Sequence, residues 1–126
     1  MSGSTGKLID VEVAPDVSTP RAMRRLFARE FAGRPFLDDL LLCVSELVTN
    51  AVLHAGPPIR VVARSAGGTT RVEVGDGSRV APKRRVVDAR SPSGRGLHLI
   101  DELASSWGVD LRADGKIVWF EFAPAR

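Results

Sequence analysis

Glu46, Asn50 and His54 stand four residues apart in a segment whose apolar residues recur at helical spacing. Residues four apart lie one above the other on an α-helix, so these three side chains form a polar stripe. Asn is a poor helix former, and beside an apolar face its amide needs a partner. A carboxylate one turn from an amide oxygen could place a general base beside a Mg²⁺ ligand, because this hard cation takes few protein ligands. For this helix alone, a solvated stripe ending in a histidine is the alternative.

A second candidate is Asp76, which follows the alternating segment Val72–Val74 and lies between Gly75 and Gly77. A carboxylate at a strand end, with flexible backbone on both sides, can accept a hydrogen bond from the exocyclic amine of a ligand. Such a group in an otherwise apolar pocket is the usual design of a specific small-molecule site. An Asp-Gly turn without a ligand is the alternative.

A third candidate is the segment Gly94-Arg95-Gly96, which precedes an apolar helical segment that begins at Leu97. Glycines let the backbone approach an anion, and free N–H groups at a helix N-terminus bind phosphate. Arg95 can add a charge-assisted contact. The segment matches neither the Walker nor the Rossmann pattern, and a simple junction between a loop and a helix would use the same residues.

Periodicity and turn residues predict the elements that position these side chains. We expect an α+β fold, a two-layer sandwich with helices on one face of a mixed, mainly antiparallel sheet. Thr19 is the expected N-cap of the first helix, with Pro20 at its first position. Residues 75–95 form a long loop of the kind that often serves as a lid or binding loop. The predicted elements are a strand over 7–13, a helix from Thr19 to Gly33, a helix from Phe36 to His54, strands over 59–65 and 70–74, a helix over 97–104, and strands over 107–112 and 117–122.

Composition and charge exclude several classes of protein. The chain has 126 residues, of which 44% are apolar and 26% charged, so we expect one globular domain over residues 1–126 with an ordered core at about 7–123. The net charge is +3, but the arginines are scattered along the chain, so nucleic-acid binding is not expected. The basic groups at 21–29 and 83–85 could instead meet an acidic protein partner or a phosphate.

Membrane association and export are not expected either. The longest mainly apolar run, from Leu40 to Val44, is too short to span a bilayer, and the first residues lack the pattern of a signal peptide. We therefore expect a cytoplasmic protein. Cys43 falls inside the helical apolar pattern, which predicts a buried structural thiol.

The three candidate sites occur in an informative order along the chain. Their order resembles that of the GHKL ATPase superfamily: a helix with Glu-x-x-x-Asn, then a hairpin ending in Asp-x-Ser, then a long loop, and then Gly-x-Gly opening a helix. This superfamily comprises histidine kinases, gyrase-type and Hsp90-type ATPases and anti-sigma-factor serine kinases. The segments 46–55 and 115–121 are similar to the last group, and above all to its stand-alone ATP-binding regulators of the actinobacterial type. The resemblance covers residues 8–123 and implies the Bergerat ATP-binding fold.

By this resemblance Asn50 would coordinate a Mg²⁺ ion that bridges the phosphates of ATP, and Asp76 would accept a hydrogen bond from the adenine amine. Glu46 would be the base that takes a proton from a serine hydroxyl of a protein substrate, or from water. Residues 79–93 would form a short lid. The other nucleotide-binding residues that the resemblance implies are His54 at the helix end, Ser78 in the adenine motif, and Gly94, Arg95, Gly96 and Leu97 around the phosphates.

The sequence departs from the family pattern at two places. The adenine motif, usually Asp-x-Gly-x-Gly, is shortened here to Asp76-Gly77-Ser78, and Ile117 stands where many relatives have Thr. The implied function is an anti-sigma factor with serine/threonine kinase activity that binds a sigma factor and phosphorylates a STAS-type antagonist. The alternative is a non-catalytic ATP-binding module for partner interaction. A homodimer is a further expectation, because relatives in the anti-sigma group pair.

Overall fold

The computed structural model describes residues 6–78 and 92–124, with the backbone alone at Lys7 and at 92–96. All eight predicted segments are present as helices or strands of the expected type. Their bounds are β1 (Gly6–Val13), α1 (Thr19–Glu30), α2 (Leu37–Asn50) followed by a π-helical turn (Ala51–Ala55), β2 (Ile59–Ala66), β3 (Thr69–Asp76), α3 (Pro92–Leu103), β4 (Ser106–Arg112) and β5 (Gly115–Phe122).

The strands form one five-stranded sheet in the order β1-β2-β3-β5-β4. Each neighbouring pair in this sheet is antiparallel, so the α+β prediction is confirmed, while the described sheet is antiparallel throughout rather than mixed. Strands β3 and β5 lie side by side although α3 and β4 separate them in sequence. This pairing brings Asp76 opposite Lys116.

The core lies between one face of the sheet and the helices. Side chains alternate between the two faces of a strand, so the buried residues of β3 and β5 recur at every second position. Helix α2 packs against both α1 and α3 and contributes the largest share of the buried helical residues. None of the helices in the described part of the chain combines the length and apolar character needed to cross a membrane. The buried core residues include Met23, Phe27, Phe31, Leu40, Cys43, Val44, Leu47, Val48, Val61, Val72, Val74, Ile100, Val118, Phe120 and Phe122.

The start of α1 differs by one residue from the prediction. Ser18 is the N-cap and makes no side-chain capping bond, while Thr19 is already helical. The Thr19 hydroxyl donates instead to the carbonyl oxygen of Ala14 at 2.7 Å, which ties the helix to the preceding loop. The predicted Thr19 cap is therefore wrong, because a partner five residues back in the chain competes for its side chain.

Helix α2 ends at Asn50 rather than continuing regularly to His54. The next five residues form a π turn, which closes with a hydrogen bond from the Gly56 N–H to the Ala51 carbonyl oxygen at 3.1 Å. Gly56 follows with a φ of 82°, which a glycine adopts without strain. Single π turns are frequent at functional sites, and this one begins directly after Asn50.

Helix α3 begins five residues earlier than predicted, at Pro92. Gly94, Arg95 and Gly96 therefore lie in the first turns of the helix and not in a loop before it. Proline suits the first position of a helix because its missing N–H would have no intrahelical partner there. The two glycines hid this start, since glycine is a weak helix former.

Candidate functional site

The side chains of Asp76 and Lys116 meet at the edge of the core, where β3 ends and β5 begins. On β5 the buried residues Val118, Phe120 and Phe122 share one face, and alternation puts Lys116 on that same face. On β3 the same rule continues from Val74 to Asp76. Two ionisable residues thus occupy core-facing positions at the end of an otherwise apolar stripe.

Both oxygens of the Asp76 carboxylate have partners within the protein. Lys116 Nζ lies 3.0 Å from Oδ1 and 2.9 Å from Oδ2, and the Ser78 backbone N–H donates to Oδ1 at 2.8 Å. The side chains of Lys116 and Asp76 are only 8% and 4% exposed. Charged groups are seldom buried unless they are paired, and this pair meets that condition. The contacts fix both the position and the orientation of the carboxylate.

Two glycines let the surrounding backbone close on Asp76. The Gly77 N–H donates to the Gly56 carbonyl oxygen at 3.2 Å, which joins the end of β3 to the end of the π turn. A Cβ atom on Gly77 would collide with the carbonyl oxygen of Pro57, and one on Gly115 would collide with the carbonyl oxygen of Asp76. Both positions therefore require glycine because of close backbone approach, whatever their φ.

The end of α2 carries the other part of the site. Asn50 Oδ1 is buried and has no hydrogen-bond partner among residues 6–78 and 92–124. Glu46 lies one turn earlier, and its Oε2 is also buried. A buried amide oxygen without a partner costs free energy, so such an atom in a folded protein points to a ligand that completes it. A neutral amide oxygen is also a suitable metal ligand for Mg²⁺, which usually takes one or two protein ligands together with phosphates and water.

The other predicted site residues occupy different environments. His54 is exposed on the π turn, and Ser78 contacts Asp76 through its backbone. Leu97 is the sixth residue of α3, and its side chain is buried in the core. Gly94 and Arg95 lie in the first turn of α3, where backbone N–H groups have no intrahelical partner. Most of the predicted lid, residues 79–91, lies outside the described residues.

Sequence reasoning missed Lys116. The last strand was predicted to begin at Ile117, and Ile117 was the residue compared with the family's threonine. The strand begins at Gly115, so Lys116 takes the core-facing position opposite Asp76, while Ile117 points to the other face. In the sequence, the apolar residues Val118, Phe120 and Phe122 alternate with others along the last strand. Continuing this alternation two residues towards the N-terminus would have identified Lys116 as core-facing.

The sequence profile of the histidine kinase-like ATPase domain matches residues 15–122. The chain belongs to this family. Domains of the family bind ATP, usually with Mg²⁺. The match spans every element except β1 and includes Glu46, Asn50 and Asp76.

Solved structures show the same fold for this ATPase domain. The structure of the RsbU and RsbW domains of Rv1364c from Mycobacterium tuberculosis matches 94% of the chain at 23% sequence identity, with a TM-score of 0.69. The histidine kinase domain of the blue-light-activated histidine kinase from Erythrobacter litoralis matches 69% of the chain at 24% identity, with a TM-score of 0.52. The chain spans 33% and 44% of these two structures' own chains. Among curated proteins no relative matches the chain.

A groove of about 400 Å³ opens on the outer side of α1 and α2 in the ATPase domain. Val17 and Leu53 line it and are 80% and 55% exposed, so the groove has an uncovered apolar surface. Arg21 and Arg24 form one wall, and neither makes an ion pair within the described part of the chain. The lining residues are Val17, Pro20, Arg21, Arg24, Ser45, Thr49, Val52 and Leu53.

Proposed function

We propose that this domain is an anti-sigma regulator that transfers the γ-phosphate of ATP to a serine or threonine of a STAS-type antagonist protein. The observation that carries the proposal is the Oδ1 of Asn50, which is buried one helical turn from Glu46 and has no hydrogen-bond partner in the part of the chain that the structure describes. In this proposal Asn50 is the protein ligand of Mg²⁺. The ion neutralises charge on the phosphates when it is bound.

The adenine base belongs at the other end of the site. Asp76 lies at the edge of the apolar core, and its carboxylate can accept hydrogen bonds from an exocyclic amine. The backbone N–H of Ser78 holds that carboxylate at 2.8 Å. Adenine carries such an amine, which supports Asp76 as the residue that recognises the base.

The phosphates fit the N-terminus of α3. The first N–H groups of a helix have no intrahelical partners, and the helix dipole favours negative charge there. Gly94 and Arg95 lie at these positions. We assign Gly94 and Arg95 to the phosphate cradle, and Gly96 and Leu97, the next two residues of α3, continue the helix behind them. His54, exposed one turn beyond Asn50, completes the proposed set.

Glu46 is the proposed general base. The hydroxyl oxygen of the substrate attacks the γ-phosphorus, the bond between that phosphorus and the β,γ-bridging oxygen breaks, and ADP leaves. The hydroxyl proton passes to the Glu46 carboxylate. Phosphoryl transfer depends mainly on positioning and charge neutralisation, so one group that orients the nucleophile suffices on the protein side.

The groove between α1 and α2 is the proposed docking surface for the antagonist. Its apolar residues suit an apolar side chain of the partner. Arg21 and Arg24, which make no ion pair with any described residue, suit acidic side chains that flank it. Ser45 and Thr49 line the groove from α2, the helix that also carries Glu46 and Asn50. A protein bound there would lie along the helix that carries the proposed base. A sigma factor as second partner, a homodimer and a cytoplasmic location belong to the same proposal.

Incubation with labelled ATP, Mg²⁺ and purified STAS-type antagonists from the same genome tests the proposal. Wild-type protein should label one antagonist on serine or threonine. Glu46→Gln should bind ATP with unchanged affinity by calorimetry but transfer no label, whereas Asp76→Ala should lose binding as well. ATP binding without transfer to any antagonist would overturn the kinase role and favour the non-catalytic module.

A charge reversal tests the docking surface separately. The double variant Arg21→Glu/Arg24→Glu should bind ATP normally and lose antagonist labelling. Arg25→Glu is the matched control, because Arg25 is exposed on the same helix and does not line the groove. Equal labelling by the double variant and the control would exclude the groove as the docking surface.

A further inference from the structure

Lys116 is a buried cation to which neither the sequence motifs nor the proposed catalytic steps give a role. Its side chain is 8% exposed, and its ammonium group contacts both oxygens of Asp76. An ammonium group has three N–H donors, so these two contacts leave one for a further acceptor. Lys116 shares the apolar face of β5 with Val118, where an uncharged side chain would avoid the cost of burying a charge.

We infer that Lys116 is a positioning and specificity-determining residue for the nucleotide base: it holds the Asp76 carboxylate in one orientation and selects adenine. The inference rests on the proposed role of Asp76 in binding the base. It adds a second residue, with a defined chemical task, to the recognition of that base.

The contacts of Asp76 explain the positioning task. Ser78 holds only Oδ1, at 2.8 Å, while Lys116 also holds Oδ2, at 2.9 Å. The torsion that rotates a carboxylate is broad, so one contact leaves the plane of the group poorly defined. With both oxygens engaged, the remaining lone pairs point in fixed directions. A fixed, ionised carboxylate is an acceptor only, and it therefore favours a base that presents an amine.

The third N–H of Lys116 explains the selectivity. Adenine presents a ring nitrogen, an acceptor, directly beside its exocyclic amine, a donor. Asp76 and Lys116 present the complementary acceptor and donor side by side on paired strands. Guanine in the same orientation would turn a carbonyl oxygen towards the carboxylate, which cannot donate to it. The pair therefore matches the edge of adenine.

Calorimetry in the presence of Mg²⁺ tests the inference by comparing two affinities. One is for ATP, and the other is for purine riboside 5′-triphosphate, which lacks the exocyclic amine. Wild type should prefer ATP by about 10- to 100-fold, the range expected for a hydrogen bond to a charged group. Lys116→Met should reduce this preference to less than about threefold, and Lys116→Arg should restore most of it. Arg60→Met is the matched control, because Arg60 pairs with Asp10 on the other face of the sheet. This variant should prefer ATP over purine riboside triphosphate by the same factor as wild type.

The outcomes separate the inference from the proposed function. If wild type binds neither nucleotide, both fail. If wild type prefers ATP and Lys116→Met weakens both nucleotides equally, Lys116 is structural only and the inference alone is overturned. Nitrogen-15 NMR of the lysine side chains in wild type provides a test that does not depend on the variant folding. The Lys116 ammonium signal should shift with ATP and far less with GTP, whose carbonyl oxygen would face the Asp76 carboxylate, and equal shifts would contradict the inference. GTP binding as tight as ATP binding would contradict it as well.

Discussion

The two ends of the candidate site are built on opposite principles. At the end proposed to bind the base (the base end), Asp76 and Lys116 compensate each other's charge, and the Ser78 N–H also donates to the carboxylate, so the protein's own contacts hold this end in place. At the end proposed to bind the metal and the phosphates (the metal end), Asn50 Oδ1 is buried without a partner in the described residues. The carboxylate at the base end is thus held by contacts within the protein, whereas this amide oxygen has no such contact among those residues.

This difference has an energetic meaning. In a buried ion pair with good geometry, each charge compensates the other, but removal of one partner leaves an uncompensated buried charge. An unpartnered acceptor destabilises the free protein, and a ligand that completes it offsets this cost. We therefore expect changes at the base end to act on stability, and changes at the metal end to act mainly on the response to ligand.

The largest loss of stability is expected for Asp76→Ala. It leaves the Lys116 ammonium group buried without its partner, and such changes lower the free energy of unfolding by about 3–5 kcal/mol. Urea denaturation measures the effect. Arg60→Ala breaks an ion pair at the exposed face of the sheet and should cost far less. Equal losses for the two variants would remove the contrast between a buried and a surface pair.

A smaller loss is expected for Gly77→Ala, which tests the close backbone approach at the base end. The added Cβ would collide with the Pro57 carbonyl oxygen, so the loop after the π turn must move away from β3. Overpacking of this kind costs about 1–3 kcal/mol. Gly6→Ala is the control, because a Cβ there meets no atom within 4 Å and should leave the urea midpoint unchanged.

At the metal end, Asn50→Ala should change the free energy of unfolding by less than about 1 kcal/mol, since Ala is the better helix former and the unpartnered oxygen disappears. ATP with Mg²⁺ should nevertheless raise the unfolding temperature of wild type but not that of Asn50→Ala, as measured by thermal unfolding with and without ligand. Thr49→Ala, at the neighbouring position of the same helix, should keep it. A large loss of stability in the ligand-free Asn50→Ala protein would show that Asn50 has a structural role.

The smallest effect concerns Cys43, which is buried in the core on α2, one turn before Glu46. Burial raises the pKa of this thiol to about 12, with further contributions from the negative charges of Asp39 and Glu46. At pH 8 the native protein should therefore not react with a thiol reagent, whereas the urea-unfolded chain should react fully. The raised pKa stabilises the fold below the pKa of an unfolded thiol, near 9, and this contribution is lost as the pH rises towards 12. Rapid labelling of the folded protein would contradict this assignment.

Sequence reasoning succeeded where local periodicity decides the structure. Met23 and Phe27 on α1 and Phe31 at its C-cap recur at helical spacing in the sequence, which is typical of the buried face of a helix, and all three are buried. Sequence reasoning was wrong where a contact distant in the chain, or the start of a neighbouring element, decides the local structure. Thr19 turns to Ala14 instead of capping α1, and Gly94 and Gly96 are helical because the helix begins at Pro92. The roles of Glu46, Asn50 and Asp76 remain predictions.

The sequence by itself determined the α+β class, the helical stripe of Glu46 and Asn50, and a carboxylate at the end of β3. Those features depend on the spacing of residues within one element, which the order of residues specifies directly. Only the tertiary structure decided that Lys116 faces Asp76, because β3 and β5 pair across forty residues of chain. Likewise, Asn50 Oδ1 lacks a partner in the described residues because of how the elements pack around it, and spacing alone does not reveal that.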